Sequence, residues 1–99
     1  MRVTIQTLHF KADKKLEQFV SSKIEKLGAV YEGVIGSEVI LRLENVDDNN
    51  NKIAEIRLLI PGSDLFARKQ SKTFEEAADQ AVDALRRQLT KHKAKIRAK

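Results

Sequence analysis

The residues best placed to do chemistry are basic and crowd one end of the chain. From Arg86 to Lys99 there are seven Lys/Arg (Arg86, Arg87, Lys91, Lys93, Lys95, Arg97 and Lys99) and no acid. The rest of the chain holds the other 12 of the 19 cations and all 14 anions, a net of −2, so the formal +5 of the whole comes from this segment. A near-neutral body with a cationic end points to a polyanionic partner, either nucleic acid or an anionic membrane. At about 100° per residue, Phe74, Ala78, Ala81, Val82, Leu85, Leu89, His92 and Ile96 fall on one helical stripe. Arg86, Lys93 and Arg97 flank one side of it, and Arg87, Lys91 and Lys95 the other. Complementing a helix macrodipole needs cations only in the last turn, not seven of them without an anion. Phosphates arriving from several directions, as on an RNA surface, suit cations that surround a helix.

Other chemistries lack their residues. With no cysteine, thiol catalysis, thiolate metal sites and disulfides are excluded. His9 and His92 are the only histidines and neither has a placed partner; Ser21 and Ser22 have no base beside them. No Gly-rich phosphate loop and no converging carboxylates are present, so neither an enzyme nor a cofactor site is expected. Asp47, Asn49 and Asn51 mimic the start of a calcium loop, but Lys52 stands at its glycine position and Leu58 at its bidentate glutamate. Gly33-Val34-Ile35-Gly36 spells a GXXG, yet it is apolar inside and joins a helix to a strand, which makes it a turn. One Tyr and four Phe offer little for base stacking. Met1 to Gln6 carries no apolar h-region, so no signal peptide is expected, and no apolar run nears the roughly 18 residues of a membrane span.

The elements that must position the cations follow from periodicity. Val3 to Leu8 has the β-branched content of a short strand, with Val3 and Ile5 on one face. Asp13 is an N-cap for a helix running to about Leu27, on which Leu16, Phe19, Val20, Ile24 and Leu27 recur at helical spacing and which Gly28 is expected to stop. On it Lys15 and Lys26 lie at an edge of the apolar arc, while Lys23 falls inside the arc and must snorkel to a rim. Ser37 to Glu44 and Lys52 to Ile60 alternate as strands around the polar turn Asp47 to Asn51. Pro61-Gly62 then turns the chain into a more polar edge strand, Leu65 to Ser71. Thr73-Phe74-Glu75-Glu76 is a capping box opening the last helix. The order β-α-β-β-β-α implies an α+β two-layer sandwich: a four-stranded mixed sheet with two helices packed on one face. A helix of about 24 residues spans roughly 36 Å and a strand of about 8 roughly 27 Å, so the last two turns and their cations should overhang the sheet.

The chain resembles, over nearly its whole length, the short form of the ribosome hibernation-promoting factors, also described as ribosome-associated inhibitor or sigma-54-modulation proteins. The resemblance is carried most specifically by Arg87-Gln88-Leu89-Thr90-Lys91-His92-Lys93, with support from Phe19-Val20-Ser21-Ser22-Lys23-Ile24-Glu25-Lys26-Leu27 and from the element order. It implies binding to the small ribosomal subunit (16S rRNA) at the decoding region, where the protein blocks translation by occupying the space of messenger and transfer RNA. It further implies a cytoplasmic protein, monomeric off the ribosome, and in some bacteria an accessory ribosome-dimerisation factor. The chain reads as a single domain over 1–99, without the C-terminal dimerisation domain of longer forms. Family basic positions fall on Lys23 and Lys26 in the first helix and on Arg87, Lys91 and Lys93 in the last; Arg86, His92 and Lys95 complete the candidate RNA-binding set. Arg68-Lys69-Gln70-Ser71-Lys72 is more basic than the family pattern, and Thr73-Phe74 also departs from it. Two other classes share some of these features. A general double-stranded RNA-binding domain also ends β-β-β-α with a basic helix. A membrane-surface helix would need more than Leu89 and Ile96 near the tail, so no membrane partner is expected.

Overall fold

The computed structural model describes residues 1–44 and 49–97, the last of them by its backbone alone. Seven elements follow in the order β1 (Arg2–Leu8), α1 (Lys14–Glu25), α2 (Leu27–Val30), β2 (Gly36–Leu43), β3 (Lys52–Ile60), β4 (Ser63–Ser71) and α3 (Phe74–Arg97). The strands form one sheet in the order β1-β2-β3-β4. β1 runs parallel to β2, and the other two pairings are antiparallel. The mixed four-stranded sheet with its helices is the expected sandwich.

Local chemistry sets the joints. Asp13 accepts a hydrogen bond from the Leu16 amide at 2.8 Å and starts α1. His9 sits at φ 70°, a left-handed conformation that turns the chain sharply after β1. Phe10 then stacks on Phe74 at the start of α3, with ring centroids 4.3 Å apart and planes at 12°. The hairpin from β3 to β4 pairs Ile60 with Ser63 across Pro61-Gly62, and Gly62 takes the positive φ (77°) that this two-residue turn requires. Gly36 is needed for another reason: a Cβ there would meet the Arg2 carbonyl oxygen at 2.8 Å, where β1 and β2 begin their pairing.

Two expectations are corrected. Gly28 does not stop the first helix, because a glycine stop needs the left-handed conformation, and Gly62 is the only glycine with positive φ among the described residues. α1 instead ends at Lys26, and Gly28 lies inside the short α2, which ends where Tyr31 turns extended and its amide reaches the Leu27 carbonyl. The capping box is half-formed. Thr73 Oγ1 accepts from the Glu76 amide at 3.0 Å, but the Glu76 carboxylate accepts from the buried Ser71 hydroxyl at 2.6 Å instead of returning to the cap. The expected Asp/Asn turn falls partly on residues 45–48, outside the described residues; at its edge the Glu44 amide donates to the Asn51 carbonyl.

The core lies between the helices and one face of the sheet. Val39, Leu41, Ala54, Ile56, Leu58, Ile60 and Ala67 supply the sheet side; Leu16, Val20, Ile24 and Leu27 come from α1 and α2, and Phe74, Ala77, Ala78, Ala81, Val82, Leu85 and Leu89 from α3. Alanines at facing positions let α3 lie close on β3 and β4. Ile53 breaks the alternation: it is fully buried, yet its register places it on the face away from the helices.

The buried stripe of α3 ends at Leu89, whereas Ile96 is 47% exposed and the long axis of the molecule reaches 49 Å. Leu89→Ala is therefore expected to lower the unfolding free energy by about 2–5 kcal/mol, and Ile96→Ala by less than about 1 kcal/mol, in urea titrations. Equal losses would place the last two turns within the core.

Candidate nucleic-acid interface

α1 and α3 run in the same direction side by side, tied at three levels. Phe10 meets Phe74 near the start, Lys23 meets Asp79 in the middle, and Val30 meets Lys93 toward the end. Lys23 snorkels as its position on the wheel requires. Its ammonium passes over the Phe19 ring, 5.5 Å from the centroid, and reaches Asp79 Oδ1 at 3.0 Å. Lys26, the C-cap of α1, is exposed and lies in the chain between the residues that meet Asp79 and Lys93.

On α3 the candidate cations fall into distinct environments. Arg86 and Arg87 both approach one carboxylate, with Arg86 Nη1 3.6 Å from Asp83 Oδ1 and Arg87 Nη1 3.5 Å from Asp83 Oδ2. Lys91 and Lys95 are exposed and have no carboxylate partner among the described residues. Lys93 turns back into the structure: its ammonium donates to the Val30 carbonyl at 3.0 Å, satisfying the end of α2. Expected on an exposed helix end, it is half-buried and engaged because α2 carries the chain past Gly28 and up to α3. His92 is likewise half-buried, edge-on to Tyr31 with ring centroids 5.5 Å apart. Together Lys93, Ile96, Tyr31, Glu32, Val30 and Ala29 line a shallow cleft of about 290 Å³. Gln88 donates to the Phe66 carbonyl on β4 at 3.0 Å, joining α3 to the edge strand. The structure thus brings Lys23, Lys26, Arg86, Arg87, Lys91, His92, Lys93 and Lys95 onto the two-helix layer, and of these Lys26, Lys91 and Lys95 are exposed with no carboxylate partner among the described residues.

The opposite face of the sheet carries charge of both signs in matched pairs. Glu55 meets Arg42 at 3.0 Å and Arg68 at 3.3 Å; Arg57 lies 3.4 Å from Asp64 and 3.9 Å from Glu38 and rests over the Phe66 ring. This explains part of the unusually basic fourth strand, since Arg68 serves cross-strand pairing. A cleft of about 350 Å³ on this face is lined by Thr4, Gln6, Glu38, Ile40, Glu55, Arg57 and Phe66. No cluster of three or more metal-ligating side chains occurs among the described residues, and none of their helices is long and apolar enough to cross a membrane.

Sequence reasoning missed the carboxylates of this site. Asp83 was legible in principle, because it stands three and four residues before Arg86 and Arg87. The Lys23–Asp79 pair and the Val30–Lys93 bond join distant segments, and no local pattern announces them.

Comparison with known proteins identifies the family and the fold. Residues 3–97 match the family described as Sigma 54 modulation protein / S30EA ribosomal protein. The chain is 28% identical over 95 residues to the ribosome hibernation promoting factor of Pseudomonas putida, covering 96% of this chain and 89% of that one. It is 29% and 28% identical over 97 residues to those of Salmonella typhimurium and Escherichia coli, covering 98% of each chain in both cases. In fold it is similar to the N-terminal domain of Thermus thermophilus Protein Y, with a TM-score of 0.80 at 22% identity over 93% of this chain and 99% of that one. It is also similar to a ribosomal subunit interface protein from Coxiella burnetii, with a TM-score of 0.81 at 20% identity over 95% and 99%. With the family matched along nearly all of its length, the chain belongs to the Sigma 54 modulation protein / S30EA ribosomal proteins.

Proposed function

We propose that this chain is a ribosome hibernation factor. It binds the small ribosomal subunit through 16S rRNA at the decoding region and blocks translation by filling space that messenger and transfer RNA require. The observation that carries this reading is the far end of α3, where Lys91 and Lys95 stand exposed without acidic partners among the described residues while the buried apolar stripe has already ended. Cations that no core uses and no carboxylate holds are available to phosphates. The names of its relatives in Pseudomonas, Salmonella and Escherichia point the same way.

In this reading residues 1–99 act as one binding unit, cytoplasmic and monomeric off the ribosome, alongside an accessory ribosome-dimerisation factor. Occlusion needs positioning and charge but no reacting group and no cofactor, so no enzymatic step is involved. Lys26, Lys91 and Lys95 make direct phosphate contacts. Lys23, Arg86 and Arg87 contact RNA by exchanging their carboxylates for phosphates, at small cost because exposed ion pairs contribute only about 0–1 kcal/mol. His92 and Lys93 contribute from the flank of the cleft at Tyr31. Shape and phosphate placement set specificity, since few side chains here can read bases.

Binding to small subunits should weaken steeply with salt. For about five to seven neutralised phosphates, the log–log slope should lie near −4 to −6. A slope near zero would remove the electrostatic basis of the proposal, and a preference for free duplex RNA over ribosomes in competition would favour a general double-stranded RNA binder.

The lysines should separate by environment. Changing Lys91 and Lys95 together to Ala should leave stability within about 0.5 kcal/mol and weaken subunit binding. Lys93→Met should in addition destabilise the fold by about 0.5–1.5 kcal/mol, because the Val30 carbonyl loses its donor. Thermal unfolding alongside subunit co-sedimentation measures both, and unchanged binding by the Lys91/Lys95 double variant would refute the assignment of the overhang.

A further inference from the structure

On α3 the sign of the charge changes abruptly. Glu75, Glu76, Asp79 and Asp83 occupy its first half, and no acid follows Arg86. The last two acids of this series reach cations of the candidate interface. Asp83 stands against both Arg86 and Arg87, and Asp79 against Lys23, so two carboxylates hold three of the eight candidate cations. Both are on the solvent side, Asp83 54% and Asp79 60% exposed.

Folding gives little reason for Asp83. It lies in the tenth position of a 24-residue helix, beyond the first turn where an acid complements the macrodipole. Its pairs are solvent-exposed and long, at 3.5 and 3.6 Å, the kind that adds little to stability. Its effect falls instead on the field at the interface. A phosphate approaching Arg86 or Arg87 must displace the Asp83 carboxylate or share its guanidinium. In both cases a negative charge stays within the Debye length of about 8 Å that applies at physiological salt. A flexible or generic polyanion meets that repulsion at every pose that uses these arginines. A rigid surface that engages Lys26, Lys91 and Lys95 at once can seat its phosphates on the guanidinium edges turned away from Asp83, which faces Nη1 of each arginine, and so meets less of that repulsion.

We propose that Asp83, assisted by Asp79, is a specificity-determining residue: it masks Arg86 and Arg87 (and Asp79 masks Lys23) against non-cognate RNA and so raises the preference for the ribosomal site. This rests on the RNA-binding reading above and deepens it. The competing role, in which Asp83 positions the two arginines for binding, predicts the opposite sign when its charge is removed.

The experiment compares wild type, Asp83→Asn, Asp83→Glu and Asp64→Asn for binding to purified small subunits and to a generic RNA duplex across a salt series. Asp64 pairs with Arg57 on the far face of the sheet, so its variant removes the same net charge away from the helices. Asp83→Asn should bind the duplex about three- to tenfold more tightly at 0.1 M salt, with a slope steeper by about 1–2 as two unmasked arginines join the contact. Its affinity for subunits should change less than about twofold, so discrimination falls. Asp83→Glu and Asp64→Asn should behave as wild type. Circular dichroism checks that α3 is intact in each variant. Weaker binding of Asp83→Asn to both RNAs, no gain on the duplex, an equal gain on both, or the same gain from Asp64→Asn would each overturn the inference while leaving ribosome binding standing. A wild-type chain that does not bind subunits would overturn both together.

Discussion

The way α3 lies on the sheet decides most of this molecule. Its stripe of Phe74, Ala77, Ala78, Ala81, Val82, Leu85 and Leu89 must be buried, and the matching surface is the helix-facing side of β3 and β4, where Ala54 and Ala67 leave room for close approach. The turn after Ser71 places the start of the helix over the end of β4, so the two run antiparallel, and a helix longer than its strand must extend beyond the far end. The bond from Gln88 to the Phe66 carbonyl is consistent with the rotation that the apolar stripe sets. Once stripe, direction and rotation are set, Lys91 and Lys95 project where no core is left to shield them.

α1 takes its place from the same constraint. Its stripe of Leu16, Val20 and Ile24 has only the remaining half of the sheet and the flank of α3 to pack on, so the two helices lie side by side. Side-by-side helices bring Lys23 to Asp79 and the end of α2 to Lys93. The polar contacts along this seam adjust a layout that apolar burial has already determined. Half-buried Lys93 finds a partner there, and buried Ser71 at the end of β4 finds one in Glu76 of α3, as polar groups taken from water must.

Charge divides the two faces. Across the exposed side of the sheet, Arg42, Arg57 and Arg68 are matched by Glu38, Glu44, Glu55 and Asp64, which leaves a surface of low net charge. The helical face pairs its cations in the middle and releases them toward the end. Along α3 the charge passes from acidic over Glu75, Glu76, Asp79 and Asp83 to strongly positive from Arg86 onward. That suits a partner whose approach is steered by phosphate and whose final position is set by contact with a rigid helix.

Most of the architecture could be read from the residues alone. Alternation gave β2 and β3 almost to the residue, the 3.6-residue stripe gave α3, and Asp13 and Thr73 marked the helix starts, because each of these signals is local: a side chain and its neighbours within one turn or one pleat. The cationic end was equally plain, since composition needs no fold. What folding alone decided is which cations are free. Lys91 and Lys93 look alike in sequence, two residues apart on one helix, yet one meets water and the other the Val30 carbonyl, 63 residues away in the chain. Lys23 was a lysine inside an apolar arc, and Asp79 one acid among several on the last helix, until the packing of α1 on α3 brought them to 3.0 Å. Partners at such separation are chosen by the docking of whole elements, which depends on the summed burial of two apolar faces, and no local spacing encodes that sum.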